Sequence, residues 1–203
     1  PEKQIDVGHI RLVEVFGERR LGDALRIDLA AMTETGERVA ILLPSSSGVV
    51  VTFYGLHAMG RVPVMLNFTS GEMNLKAAIK ASGVKRILSA KRFITQAKLE
   101  ALTESLAEVA EIIWLDDIRK TIGLPDKLFG LMAGFFPKQF RVETQPSDPG
   151  VILFTSGSFG SPKGVMLSQS NLVSNVRQVA THIDLDPDWV MFNPLPTFHC
   201  FGL

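Results

Sequence analysis

Apolar runs alternate with amphipathic stretches along the first half of the chain. Arg38-Val39-Ala40-Ile41-Leu42-Leu43 is short, apolar after its arginine and followed by Pro-Ser-Ser-Ser-Gly, which predicts a buried strand and a polar turn. Ser46 or Ser47 can cap the next helix, because a serine hydroxyl accepts from an otherwise unpaired N–H of the first turn. That helix is expected from about Gly48 to Met59, with Gly60 as its stop. Val62-Pro63-Val64-Met65-Leu66 is a second strand, Leu75 to Ser82 a helix stopped by Gly83, and Val84 to Ser89 a third strand. Lys98 to Ala110 reads as a polar-faced helix and Glu111 to Leu115 as a fourth strand. Strands written as unbroken apolar runs and linked through helices belong to parallel sheets buried on both faces. The expected class is therefore α/β, a mostly parallel sheet flanked by helices, which does not name a function by itself.

Two stretches carry a membrane question. Val39 to Gly60 holds no Asp, Glu, Lys or Arg and reaches the length of about 20 residues that a spanning helix needs. Pro44 and the serines 45–47 split it, so a strand, a turn and a buried helix account for it better. From Arg119 to Arg141 the basic residues Arg119, Lys120, Lys127, Lys138 and Arg141 face a single acid, Asp126, while Leu124, Leu128, Leu131, Met132, Phe135 and Phe136 recur at roughly helical spacing. Such a segment either lies on an anionic membrane surface or packs on the body of the protein or a neighbour, the second being the commoner use of a Leu/Phe stripe. Gln145 to Gly150 reads as a loop or linker.

Composition narrows the classes. The chain has 203 residues, of which 46% are hydrophobic, enough for one domain with a real core or two small lobes. Its 21 basic and 21 acidic residues give zero net charge and no electrostatic footprint for nucleic acid. A single cysteine, Cys200, supports neither a disulfide framework nor a zinc site, so no metal ligands are assigned and a reducing, cytoplasmic setting is expected. The first residues, Pro1 to Asp6, carry no apolar signal region.

The chemistry concentrates after the strand Val151-Ile152-Leu153-Phe154. There follow Thr155, Ser156, Gly157, Ser158, Phe159, Gly160, Ser161, Pro162, Lys163 and Gly164, then the apolar Val165-Met166-Leu167. Ser168 to Asn171 can cap a helix running to about Thr181. Glycines let the backbone approach a bulky anion, consecutive N–H groups can form a concave nest for it, and the hydroxyls add donors. Lys163 supplies a mobile point charge able to follow a polyphosphate. Pro162 stands where a Walker A loop needs glycine, so this is not that motif.

The string Phe154 to Gly164 resembles the phosphate loop of the adenylate-forming superfamily of acyl-CoA synthetases, luciferases and peptide-synthetase adenylation domains. Only Phe159 departs from that pattern, where threonine is usual, which removes one hydroxyl. Arg38 to Pro44, Gly60 to Asn67 and Asn193 to Leu203 resemble further elements of the superfamily in order and spacing, with Thr197 an extra residue in the last, so the likeness runs from about Glu37 to the end. Leu66 to Gly71, the Trp114-Leu115-Asp116-Asp117 region and the Leu/Phe-rich segment after it resemble the acyl-acyl-carrier-protein synthetase part of bacterial bifunctional enzymes that also reacylate lysophospholipid at the inner membrane.

The resemblance implies an acid–thiol ligase: a carboxylate attacks the α-phosphate of ATP with Mg2+ assisting, pyrophosphate leaves, and a thiol takes the acyl group. Thr155, Ser156, Gly157, Ser158, Gly160, Lys163 and Gly164 are then nucleotide-binding, and His199 lies near the acyl carboxylate. A fatty acid is the expected acid, acyl carrier protein or coenzyme A the expected acceptor, and peripheral contact with the inner membrane a possible addition. A non-catalytic nucleotide- or lipid-binding module is the alternative from another class. His9, His57 and His182 lack the context of His199 and are expected to be structural, and Cys200 to be a buried inert thiol. The division expected is an α/β lobe over 1–118, an amphipathic segment and linker over 119–150, and the phosphate loop with the acyl-site element over 151–203. The superfamily's adenine- and Mg2+-binding motifs and its small C-terminal domain are not in the sequence, so a fragment with little ligase activity of its own is expected.

Overall fold

The computed structural model describes residues 29, 32–125, 128, 132, 135, 139, 141–155, 162–184, 186, 195–200 and 202–203. Six strands form one sheet: β1 (Arg38–Ile41), β2 (Val62–Met65), β3 (Arg86–Ser89), β4 (Glu111–Trp114), β5 (Pro149–Thr155) and β6 (Lys163–Ser168). The helices are α1 (Ser47–Ala58), α2 (Glu72–Ser82), α3 (Lys91–Ala97), α4 (Glu100–Ala107), α5 (Leu115–Thr121) and α6 (Gln169–His182). The strand order is β4-β3-β1-β2-β5-β6. All neighbours pair in parallel except β5 and β6, which form an antiparallel hairpin. The mostly parallel, helix-flanked sheet expected from the pattern is the one observed.

Strand alternation divides the core. Val39 and Ile41 of β1 and Val151 and Leu153 of β5 face one layer, where they meet Val49, Phe53 and Leu56 of α1 and Ile118 of α5, with Leu172 of α6 packed alongside. Ala40 and Ile152 point the other way, towards Leu75 and Ile79 of α2, Ile94 of α3 and Leu106 of α4. Each large side chain fully buried here contributes roughly 1.5–3 kcal/mol. A sheet covered on both faces needs strands apolar at every position, and the burial pattern of β2 is buried throughout.

Pro63 sits inside β2 although proline cannot donate to a ladder. Val62 N donates to Glu37 O at 2.8 Å and Leu66 N to Ile41 O at 3.1 Å, so the even-numbered amides of β2 face β1. The missing N–H of Pro63 therefore faces β5, and there the registered pairing is Val64 with Ile152.

Several boundaries differ from the sequence reading. The stretch Lys98–Ala110 is helical only over α4, and a separate helix, α3, precedes it across Lys98, which takes a left-handed conformation. Leu115 begins α5 instead of ending β4, because Asp116 and Asp117 supply first-turn acids that favour a helix start. Pro149 and Gly150, expected in a loop, open β5. Ser46 is the N-cap of α1, but its hydroxyl donates to Pro44 O at 3.2 Å and makes no cap bond.

The uncharged stretch 39–60 is β1, a turn and α1. Among the described residues no helix is long and apolar enough to cross a membrane. Positions 124, 125, 128, 132, 135 and 139 have helical backbone. Leu124, Leu128, Met132 and Phe135 are 80%, 61%, 49% and 73% exposed, so this stripe is not packed on the described body of the protein as its composition suggested.

Candidate functional site

Parallel strands place their carboxyl ends on one edge of the sheet, and in open α/β sheets ligands bind outside that edge. Three segments converge there. The first is the mouth of the β5–β6 hairpin. Thr155, the last residue of β5, is registered opposite Lys163, the first of β6, and Phe154 opposite Gly164. Both Thr155 and Lys163 are exposed, and Lys163 has no ion-pair partner among the described residues. A Cβ on Gly164 would lie 3.2 Å from Cε1 of Phe154, so glycine lets the Phe154 ring cover the strand at this point. Ser156, Gly157, Ser158 and Gly160, with Phe159 and Ser161, lie outside the described residues. What is described is the frame: two antiparallel strands that hold the two ends of the glycine- and serine-rich loop together.

The second segment follows β1, where Ser45 stands. The third is the turn at 195–202, which carries His199. Ser45 joins the two, since its hydroxyl accepts from Thr197 N at 3.1 Å and donates to Leu195 O at 3.5 Å. The turn is closed by His199 N donating to Pro196 O at 2.9 Å and Gly202 N donating to His199 O at 2.8 Å. His199 and Cys200 are exposed, with Cys200 Sγ 4.0 Å from His199 Nδ1. The exposure of Cys200 corrects the expectation of a buried thiol: in this turn it is Phe198 that packs against the core, while Cys200 faces solvent. The hairpin mouth and the His199 turn thus share the carboxyl edge of the sheet, reached from β5 on one side and from β1 and β2 on the other.

Sequence reasoning did not single out Ser45 as a contact residue. It belongs to a serine run that reads as a helix cap, and its partners are 150 or more residues away. Phe68, on the loop after β2, was likewise not singled out; its ring meets Phe198 with centroids 5.1 Å apart and planes at 80°.

The remaining histidines stand elsewhere. His182 ends α6 with Nδ1 2.8 Å from Gln178 O. His9 lies outside the described residues. His57 packs on Phe53, with ring centroids 4.5 Å apart. Gln169 Nε2 lies 3.2 Å from His57 Nδ1, a link between α1 and the first turn of α6. Burial pushes the His57 imidazole down from 6.5 to about 4.

Among the described residues no group of three or more His, Cys, Asp or Glu stands together as a metal cage.

Comparison with known proteins gives these features a context. The family model described as AMP-binding enzyme matches residues 19–203. Acyl-CoA ligase SID4 of Ajellomyces capsulatus is 27% identical over 186 residues, covering 86% of this chain and 32% of that protein. A 4-coumarate–CoA ligase of Vanilla planifolia is 30% identical over 176 residues, covering 83% of this chain and 31% of the relative. ATP-bound MatB from Rhodopseudomonas palustris shares the fold with a TM-score of 0.71 at 24% identity, over 91% of this chain and 35% of that one. The chain spans about a third of the length of the curated relatives it matches.

Proposed function

This chain belongs to the AMP-binding enzyme family, and from that premise we propose that its protein is an ATP-dependent acid–thiol ligase whose phosphate loop is held by β5 and β6. The observation that carries the reading is the register of the hairpin, which sets the Thr155 hydroxyl opposite Lys163 at the ends of the glycine- and serine-rich loop. Donors and a cation fixed on one frame suit the β- and γ-phosphates of ATP, and so the pyrophosphate that leaves when a carboxylate attacks the α-phosphate. Thr155, Ser156, Gly157, Ser158, Gly160, Lys163 and Gly164 have this role in the proposal. His199 attends the carboxylate from the turn on the same edge.

The acid we propose is a fatty acid, and the acceptor acyl carrier protein, in reacylation of phospholipid at the cytoplasmic face of a bacterial inner membrane. The residue matches at Leu66–Gly71 and Trp114–Asp117 support this branch. Coenzyme A is the second reading of the acceptor, favoured by relatives named acyl-CoA ligase and 4-coumarate–CoA ligase.

The test is ATP–pyrophosphate exchange by the full-length protein with and without a long-chain fatty acid, beside Lys163→Ala. The expected result is exchange that requires the acid and drops by about 10²–10³-fold in the variant. Exchange with no carboxylate of a panel would overturn the ligase reading, and an unaffected variant would remove Lys163 from it. Single-turnover transfer to carrier protein against coenzyme A then decides the acceptor.

A further inference from the structure

We propose that Phe68 is a positioning residue for the carboxylic acid substrate, acting through the Phe198 ring on the turn that carries His199; this rests on the reading of His199 given above. The loop that presents Phe68 is braced from within. Asn67 Oδ1 accepts from Thr69 N at 2.9 Å and from Thr69 Oγ1 at 2.7 Å, and Asn67 O accepts from Ser70 N at 3.1 Å and Ser70 Oγ at 2.8 Å. Asn74 Nδ2 then donates to Ser70 O at 2.7 Å, tying the loop to the first turn of α2. An asparagine-centred turn of this kind leaves the residue after it few conformations.

Phe68 is the middle ring of three. Phe93 of α3 lies 5.1 Å from it at 67°, and Phe198 lies 5.1 Å from it at 80°, both edge-to-face. The hydrogen bonds of the turn, Pro196 to His199 and His199 to Gly202, fix its shape but not its place over the sheet. Its place draws on the Ser45 hydrogen bonds, on the packing of Phe198, the residue immediately before His199, against the core layer under α1, and on the edge contact of that ring with Phe68. A ring anchored through a braced loop and through α3 is the stiffer support. Truncating Phe68 leaves Phe198 without its edge partner and lets the turn shift about Ser45, so the imidazole moves relative to the acid while the hairpin that binds the phosphates is untouched.

The experiment uses the full-length protein in ATP–pyrophosphate exchange, with wild type, Phe68→Ala, Phe68→Leu and Phe68→Tyr, together with amide hydrogen exchange of residues 195–203. The expected result for Phe68→Ala is a KM for the acid raised roughly three- to ten-fold, the worth of an edge-to-face pair. The KM for ATP should stay within about two-fold of wild type on the same accounting. Faster exchange at Thr197, His199 and Gly202 is expected alongside, and Phe68→Tyr, which keeps the ring, should restore both readouts. Phe68→Leu keeps most of the volume without the ring and serves if the alanine variant does not fold; the same split is expected. Equal changes in both KM values, or no change in either, would overturn the positioning role, as would unaltered amide exchange in a folded variant. Wild-type protein without acid-dependent exchange would instead sink the ligase reading, and the amide-exchange arm would still decide whether Phe68 holds the turn.

Discussion

His57 and Arg61 are polar side chains enclosed by the fold, and they respond differently to it. Arg61 is 6% exposed and is used as a clamp: Nε donates to Thr33 Oγ1 at 2.9 Å, Nη1 to Met59 O at 2.5 Å and Nη2 to Thr33 O. A guanidinium keeps its charge when buried provided its planar set of donors is met. His57 takes the other course and sheds its proton. In the neutral ring Nδ1 accepts from the Gln169 amide, so the hydrogen is on Nε2, which has no hydrogen-bond partner among the described residues. A second proton would charge a desolvated ring, hence the fall to about 4. The folded pKa lies below the unfolded one, so the unfolded chain binds a proton that the native one refuses as pH drops from 6.5 towards 4. Stability present above pH 6.5 is therefore lost across that window, by about 3 kcal/mol for this group, and the loss levels off below it. Urea unfolding at pH 7 and at pH 4.5 should show a smaller difference in His57→Gln than in wild type; equal differences would remove His57 from the pH response.

At the scale of elements, the start of α6 is set by what β5 lacks. A Cβ on Gly150 would meet Leu172 Cδ1 at 2.9 Å and the backbone at Gln169 N and Ser168 C at 3.2 Å. The flexible leucine can yield; the helix start cannot, because Ser168 and Asn171 bind each other's backbones in a capping box. Gly150→Ala should therefore lower stability by about 1–3 kcal/mol, seen as a drop in melting temperature; an unchanged melting temperature would show that α6 is loosely seated.

Local signals of this kind were legible in the sequence: the serine–asparagine cap of α6, the apolar runs of all the sheet's central strands, and the glycines and lysine of the hairpin. Less legible was anything decided by distant partners. The seat of α5 against α3 is one case: Asp116 Oδ2 accepts from Lys91 N at 2.6 Å, 25 residues away. Ser45 and Phe68 take their meaning from residues far along the chain, with which no short motif connects them. In the candidate site, therefore, the residues expected to touch phosphate stood out by type and spacing, while those that hold the His199 turn in place did not.

At the scale of the whole molecule, two apolar faces among the described residues meet solvent. One runs along β6 and α6 through Val165, Val173, Val176 and Val179; the other comprises Leu124, Leu128, Met132 and Phe135. The chain spans about a third of its curated relatives, and the first face adjoins the hairpin of the proposed site. The second lies in a stretch, 119–141, with five basic residues against one acid, a pattern suited to a bilayer carrying negative headgroups. Sedimentation of the full-length protein with vesicles should rise with the fraction of anionic lipid and fall in a Leu128→Glu/Phe135→Glu variant. Binding indifferent to lipid charge would count against the membrane role.

Pro63 carries a last consequence, for the time before the sheet is complete. As the chain is made from its N-terminus, β1 to β4 are available for pairing well before β5 arrives, and until then the outer side of β2 is a bare edge of Val, Val and Met. Such an edge invites pairing with a neighbouring chain. A proline whose absent N–H faces that side leaves a gap in the ladder that an intruding strand would need. In the finished sheet the same gap shows as a single registered pair, Val64 with Ile152.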